Sequence, residues 1–157
     1  MGFLFASSKR RNIPEVTGLQ IQTAVNVLPI PIVYGSPRIP MNIIYVNGFR
    51  SVAQSSGGGG KGLLTGGKSG DTTGYKYYAT FIGALCEGVI TNIAAVFDNQ
   101  AVYTPTTMPP GKTLVAFTGT SVQAPWSAIT ASWPADAFGY KDTAYLGAPD
   151  FLLDSSA

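Results

Sequence analysis

Residues 55–74, SSGGGGKGLLTGGKSGDTTG, constrain this chain more than any other stretch. Glycine loses more backbone freedom on ordering than any other residue. A run this rich in it joins the two apolar, strand-like halves as a loop. The stretch also holds Gly62-Leu-Leu-Thr-Gly-Gly67-Lys68-Ser69, which meets the phosphate-loop pattern G-x-x-x-x-G-K-[ST] at every position. That pattern works where a buried strand delivers the loop and a helix N-terminus receives it, so that backbone N–H groups and the helix dipole converge on phosphate. Gly57 to Lys61 cannot form such a strand, and Gly70 to Gly74 cannot start such a helix. The expectation is a long Gly-rich insertion loop over 55–74. A P-loop nucleotide-binding enzyme through Gly62 to Ser69 stands as the alternative of another class.

The flanking sequence reads as short strands. Residues 1–15 form an arm, with Phe3, Leu4 and Phe5 apolar and Lys9, Arg10 and Arg11 a charge run; residues 16–157 form one β-rich domain. The pattern turns extended from Leu19. Pro29 and Pro31 in the β-biased run 28–34 (LPIPIVY) both lack an N–H and place it at a sheet edge or a subunit boundary. Gly35-Ser36-Pro37 is a turn, residues 42–46 a strand, and Asn47-Gly48 a hairpin signal leading into 49–52. After the glycine stretch, aromatic residues and glycines favour a strand over a helix for 75–85. Asp98-Asn99 marks a second hairpin between 89–97 and 100–103, and 104–111 is a proline-rich loop. Residues 114–118 are another strand. Trp126, Ile129 and Trp133 share one face of the single helical stretch, 125–133, and 143–146 and 151–153 are two closing strands. The fold class is therefore mainly β: an antiparallel barrel- or sandwich-like domain with one short helix.

Composition points to a subunit. Only 11% of the 157 residues are charged, against about 25% in an average domain, and a lone domain needs surface charge to stay dispersed. Residues 1–61 carry six Lys or Arg against one acid, while 62–157 carry four lysines against seven acids. Opposite-signed ends suit head-to-tail or side-by-side packing, and a dipolar monomer equally. A net charge of +2 does not by itself imply a nucleic-acid partner. Neither a secretory nor a myristoylation pattern is met, and Glu87, Thr91 and Asn92 interrupt the apolar run 81–97 too often for a membrane helix. The chain is expected to be soluble and made inside the cell.

Candidate chemistry is sparse. With no histidine there is no Ser-His or Cys-His pair, and the lone Cys86 builds neither a disulfide framework nor a thiolate cluster. Cys86 is expected to be a small core residue and Glu87-Gly88 a strand-end bulge. Asp98, the one candidate magnesium aspartate, sits in a turn. Asp136, Asp142, Asp150 and Asp154 lie beside Gly, Pro or Ser and read as solvated turn residues before a glycosidase pair. No catalytic, cofactor-binding or metal residue is assigned, and no cofactor is implied.

Three segments resemble one family when taken together. They are Pro29-Ile-Pro-Ile-Val-Tyr-Gly-Ser-Pro-Arg38; Gly60-Lys-Gly62 with Tyr75-Lys-Tyr77 and Ala84-Leu-Cys-Glu-Gly88-Val-Ile-Thr-Asn-Ile93; and Gly139-Tyr-Lys-Asp-Thr-Ala-Tyr145 with the run from Phe151 to Ser156. In that order, over most of 19–156, they resemble phage tail-tip hub proteins, a family that includes the lambda-type tip attachment protein and the hub of gene transfer agents. The resemblance implies a non-enzymatic virion protein at the distal end of the tail, made in the host cytoplasm. It also implies a homotrimer that closes the tail tube, contacts the distal tail protein ring, the tape-measure C-terminus and other tail-tip proteins, and takes part in host attachment and DNA ejection. DNA would pass only in transit, no small-molecule substrate is implied, and membrane contact is left open. Family members are longer, so this chain is expected to be part of a longer hub or of a hub split over several genes. The rival within structural proteins is a tail adaptor or ring subunit of different symmetry.

Overall fold

A computed structural model describes residues 29–55, 72–98 and 100–153. The arm at 1–15, the extended run from Leu19 to Leu28, the Gly62–Ser69 match, most of the glycine loop and Asp154 lie outside the described residues. Strand takes 47% of the described residues, about twice the usual share, so the described part is mainly β with antiparallel sheets.

The frame of the fold is a long hairpin. Strand β1 (Asn42–Ser55) pairs antiparallel with β2 (Thr72–Glu87), which is rich in the aromatic and β-branched residues that suit a pleated surface. The sheet continues through β6 (Thr143–Leu153) to β5 (Val115–Thr118), giving the order β1-β2-β6-β5. A small second sheet is the hairpin of β3 (Val96–Asp98) and β4 (Ala101–Tyr103); Asp98 pairs with Ala101 and so belongs to the strand and not to the turn expected at Asp98-Asn99, and the strand expected over 89–97 is confined to its end. The helix α1 (Ser127–Ser132) follows Trp126, and a 3-10 turn (Pro134–Asp136) follows it. No described helix is long and apolar enough to cross a membrane.

Both faces of the central sheet are covered, which is why residues 79–86 and 144–148 are buried without alternation. On one face Ile82 and Tyr145 pack with Trp126 and Ile129, flanked by Phe117, Tyr45 and Trp133. Gly147 is what lets the helix side approach, since a Cβ there would stand 2.9 Å from the Trp126 ring. On the other face Leu85, Cys86, Ala144 and Leu146 pack with Val33 and Ile39 of the segment before β1, with Ile90, Ile93 and Val96, and with Leu114. Cys86 is a small core residue, and burial pushes its thiol above the usual value.

Four expectations are corrected. Asn47-Gly48 is not a hairpin turn; it is a bulge inside one continuous β1. Asn47 pairs with Thr80 and Arg50 with Tyr78, so β1 holds one extra residue there, and Gly48 takes φ +64° while Asn47 Oδ1 accepts its N–H at 2.7 Å. The closing strands are likewise one strand. Ala79 pairs with Phe151 and Phe81 with Ala148, so Pro149 and Asp150 together oppose Thr80 in a bulge, a place where strand interiors accept proline. The proline-marked run is not a strand: Ile32 makes a single parallel bridge to Glu87, and Pro31 carbonyl accepts the Glu87 N–H at 2.9 Å. Glu87 does end its strand, but the irregularity lies earlier, between Ala84 and Cys86.

Candidate functional site

The acids singled out in the sequence are dispersed, and three of them are engaged locally. Asp98 accepts a 2.7 Å bond from Lys112 Nζ, an ion pair whose lysine is almost wholly buried, at the base of a shallow groove of about 550 Å³. Gln100, Tyr103, Pro109 and Leu152 line the rest of that groove. Asp136 accepts the Tyr45 hydroxyl at 3.2 Å. Burial, with the Asp136 carboxylate adding to it, holds the Tyr45 phenol above its ordinary value. Asp150, in the left-handed region at φ +41°, takes a two-pronged pair from Arg50 at 3.0 and 2.6 Å, and Arg50 also lies over the Tyr78 ring. Asp142 is exposed at a turn. Among the described residues no group of three or more His, Cys, Asp or Glu side chains is placed to hold a metal. Nothing local in the sequence signals the lysine that answers Asp98 or the arginine that answers Asp150, because both partnerships depend on bulges and loops that bring distant chain together.

What converges is backbone, at the Glu87 end of β2. The Glu87 N–H goes to Pro31, the Gly88 N–H to Asp142 carbonyl at 2.7 Å, and the Ile90 N–H to Thr118. Gln123 ties this end together from within. Its Oε1 accepts the Gly119 N–H at 2.9 Å, and its amide nitrogen is shared among the carbonyls of Gly139, Tyr140 and Thr143 at 3.0–3.2 Å. Around this rigid knot the surface is apolar: Val89, Val122 and Phe138 are 66%, 85% and 62% exposed.

The far side of the second core is similar. In the segment before β1, Val33 points inward while Ile32 and Tyr34 are exposed. In the β3–β4 hairpin, Val96 is inward while the cross-strand pair Phe97 and Val102 is exposed, with the Arg38 guanidinium 3.9 Å over the Phe97 ring. An antiparallel ribbon that faces water alternates apolar with polar residues; these elements are apolar on both faces.

Fold and surface together define a mainly-β, antiparallel domain with several large apolar residues exposed. Comparison with protein families, curated proteins and solved structures finds no match to the chain.

Proposed function

We propose that this chain is a structural subunit of a phage tail tip, the hub domain that closes the distal end of the tail tube as a homotrimer. In this reading it meets the distal tail protein ring and the tape-measure C-terminus, serves host attachment and DNA ejection, and performs no catalysis. The observation that carries the reading is the meeting of three stretches that resemble the hub family. Those at 29–38, 84–93 and 139–145 are far apart in sequence, yet they join through the Glu87–Pro31 and Gly88–Asp142 bonds and the Glu87–Thr143 pairing. The apolar residues left exposed around them, in a chain with few charges, are the surface that neighbouring subunits would cover. The barrel- or sandwich-like closure belongs to the same proposal, with one copy's sheet supplying a wall that a neighbour completes.

Cryo-EM of purified tails tests this directly. Three copies at the distal end of the tube are expected, and six or more copies along the tube would overturn the hub in favour of a ring subunit.

A further inference from the structure

Several charged side chains answer each other within the fold: Arg50 holds Asp150, and Lys112 holds Asp98. Arg38, Glu87 and Asp142 are different, being exposed and in no ion pair among the described residues. Each of them stands with exposed apolar side chains. With Arg38 go Phe97, over whose ring it lies, Val102 across the hairpin from Phe97, and Ile32 and Tyr34 earlier in its own segment. Their neighbours Val33 and Val96 enter the second core, so this set is its outer surface, and Tyr34 is 88% exposed. With Glu87 and Asp142 go Val89, Val122 and Phe138. The loops that carry these three are tied to one another. Val89 follows Gly88, which bonds to Asp142 carbonyl; Val122 precedes Gln123, which bonds to the carbonyls of Gly139 and Tyr140; and Phe138 precedes Gly139, where a Cβ would stand 2.8 Å from the Gln123 carbonyl oxygen.

We infer that copies of this chain join through these two sets, the Arg38 set of one copy seated on the Glu87 and Asp142 set of the next. Charge decides which set meets which. The first presents a cation, its one nearby acid, Asp98, being taken by Lys112; the second presents two acids against Lys141. Each set therefore repels its own kind and accepts the other. A guanidinium over an aromatic ring keeps its fork of N–H donors for a carboxylate, and it is already ordered when the partner arrives. Within one copy Arg38 lies on Phe97 and pairs with neither acid, so the carboxylates are left for a second copy. A contact between two different surfaces is heterologous, and such contacts close into rings when the rotation allows. The inference rests on the homotrimeric reading above and names the contact that builds it.

The test is charge reversal in the full chain, with sedimentation velocity reading assembly and circular dichroism reading the fold. Arg38→Glu and Glu87→Lys are each expected to weaken self-association about five-fold or more, since each sets like charges together. The double variant Arg38→Glu/Glu87→Lys restores opposite signs across the contact and is expected to return to within about three-fold of wild type. If Arg38→Glu lowers the melting temperature, Arg38→Gln takes its place, removing the charge and keeping a planar group on Phe97. Tyr34→Ser and Val122→Ser, one in each set, are each expected to weaken assembly while the melting temperature stays put. A wild-type chain that is monomeric at every concentration overturns the homotrimeric reading and this contact with it. Wild-type assembly that stops at two copies overturns both as well, since a contact that closes at two is reciprocal. Trimers that are unaffected by the single reversals, or not recovered in the double, overturn the contact alone.

Discussion

Tyr145 is fully buried, stacked on Phe117 at 4.2 Å and edge-on to Tyr140 at 5.5 Å, and among the described residues its hydroxyl meets no hydrogen-bond partner. A buried donor left unmet costs about 1–3 kcal/mol. Tyr145→Phe keeps the ring and removes the orphan, so it is expected to stabilise the fold by about 1 kcal/mol, read as a higher denaturation midpoint at unchanged slope. The same residue sets an alkaline limit. Burial pushes its phenol well above the ordinary value of 10.0, with Tyr140 adding to the effect, so the folded state keeps a proton that the unfolded chain releases. That contribution is whole below the unfolded value and is lost as the pH rises above it. Tyr140 and Tyr45, also raised chiefly by burial, lose stability in the same window. The Tyr145→Phe variant should therefore lose stability less steeply than wild type in that alkaline range, and parallel curves would refute the assignment.

At the scale of elements, most strands can be read from the sequence, but their continuity cannot. The aromatic run that became β2 and the face shared by Trp126 and Ile129 follow from local chemistry, and the structure agrees with both; a hairpin does form after Phe97, but with Asp98 in its first strand and not in its turn. Asn47-Gly48 and Pro149-Asp150 are different. A dipeptide that takes positive φ serves a turn or a bulge equally well, and only the partner strand decides between them. Here β2 runs past both breaks, so each is a bulge. The Gly48 bulge has a second role, because a Cβ there would stand 3.1 Å from the Trp133 ring. Gly35 shares its left-handed φ, at +75°, with nothing within 4 Å of such a Cβ. Gly35→Ala is expected to cost about 1 kcal/mol, the backbone term alone. Gly48→Ala should cost about 2–3 kcal/mol, since overpacking against Trp133 adds to the same term. Urea titration of the two variants isolates the packing contribution, and equal losses would show that Trp133 moves aside freely.

For the whole molecule, the charge imbalance between the two parts of the chain is legible in the sequence, but its meaning depends on where the fold puts the groups. The acids Glu87 and Asp142 are distant in sequence and are brought to one end of the sheet by the Gly88 N–H bond to the Asp142 carbonyl and the Glu87–Thr143 pairing, while Lys76 is carried away from them by the length of β2. The phosphate-loop match falls outside the described residues; the described chain before it ends at Ser55 in β1 and resumes after it at Thr72 in β2. Both cores are built from residues outside 52–76. Replacing residues 52–76 with a two-residue Asn-Gly turn retains the Ser51–Tyr77 pair and every buried core residue. The shortened chain is expected to unfold within a few degrees of wild type by differential scanning calorimetry, the scale of a change of about 1 kcal/mol in a domain of this size. Unfolding of the shortened chain, or a fall in melting temperature well beyond that scale, would mean that residues 52–76 hold the sheet together.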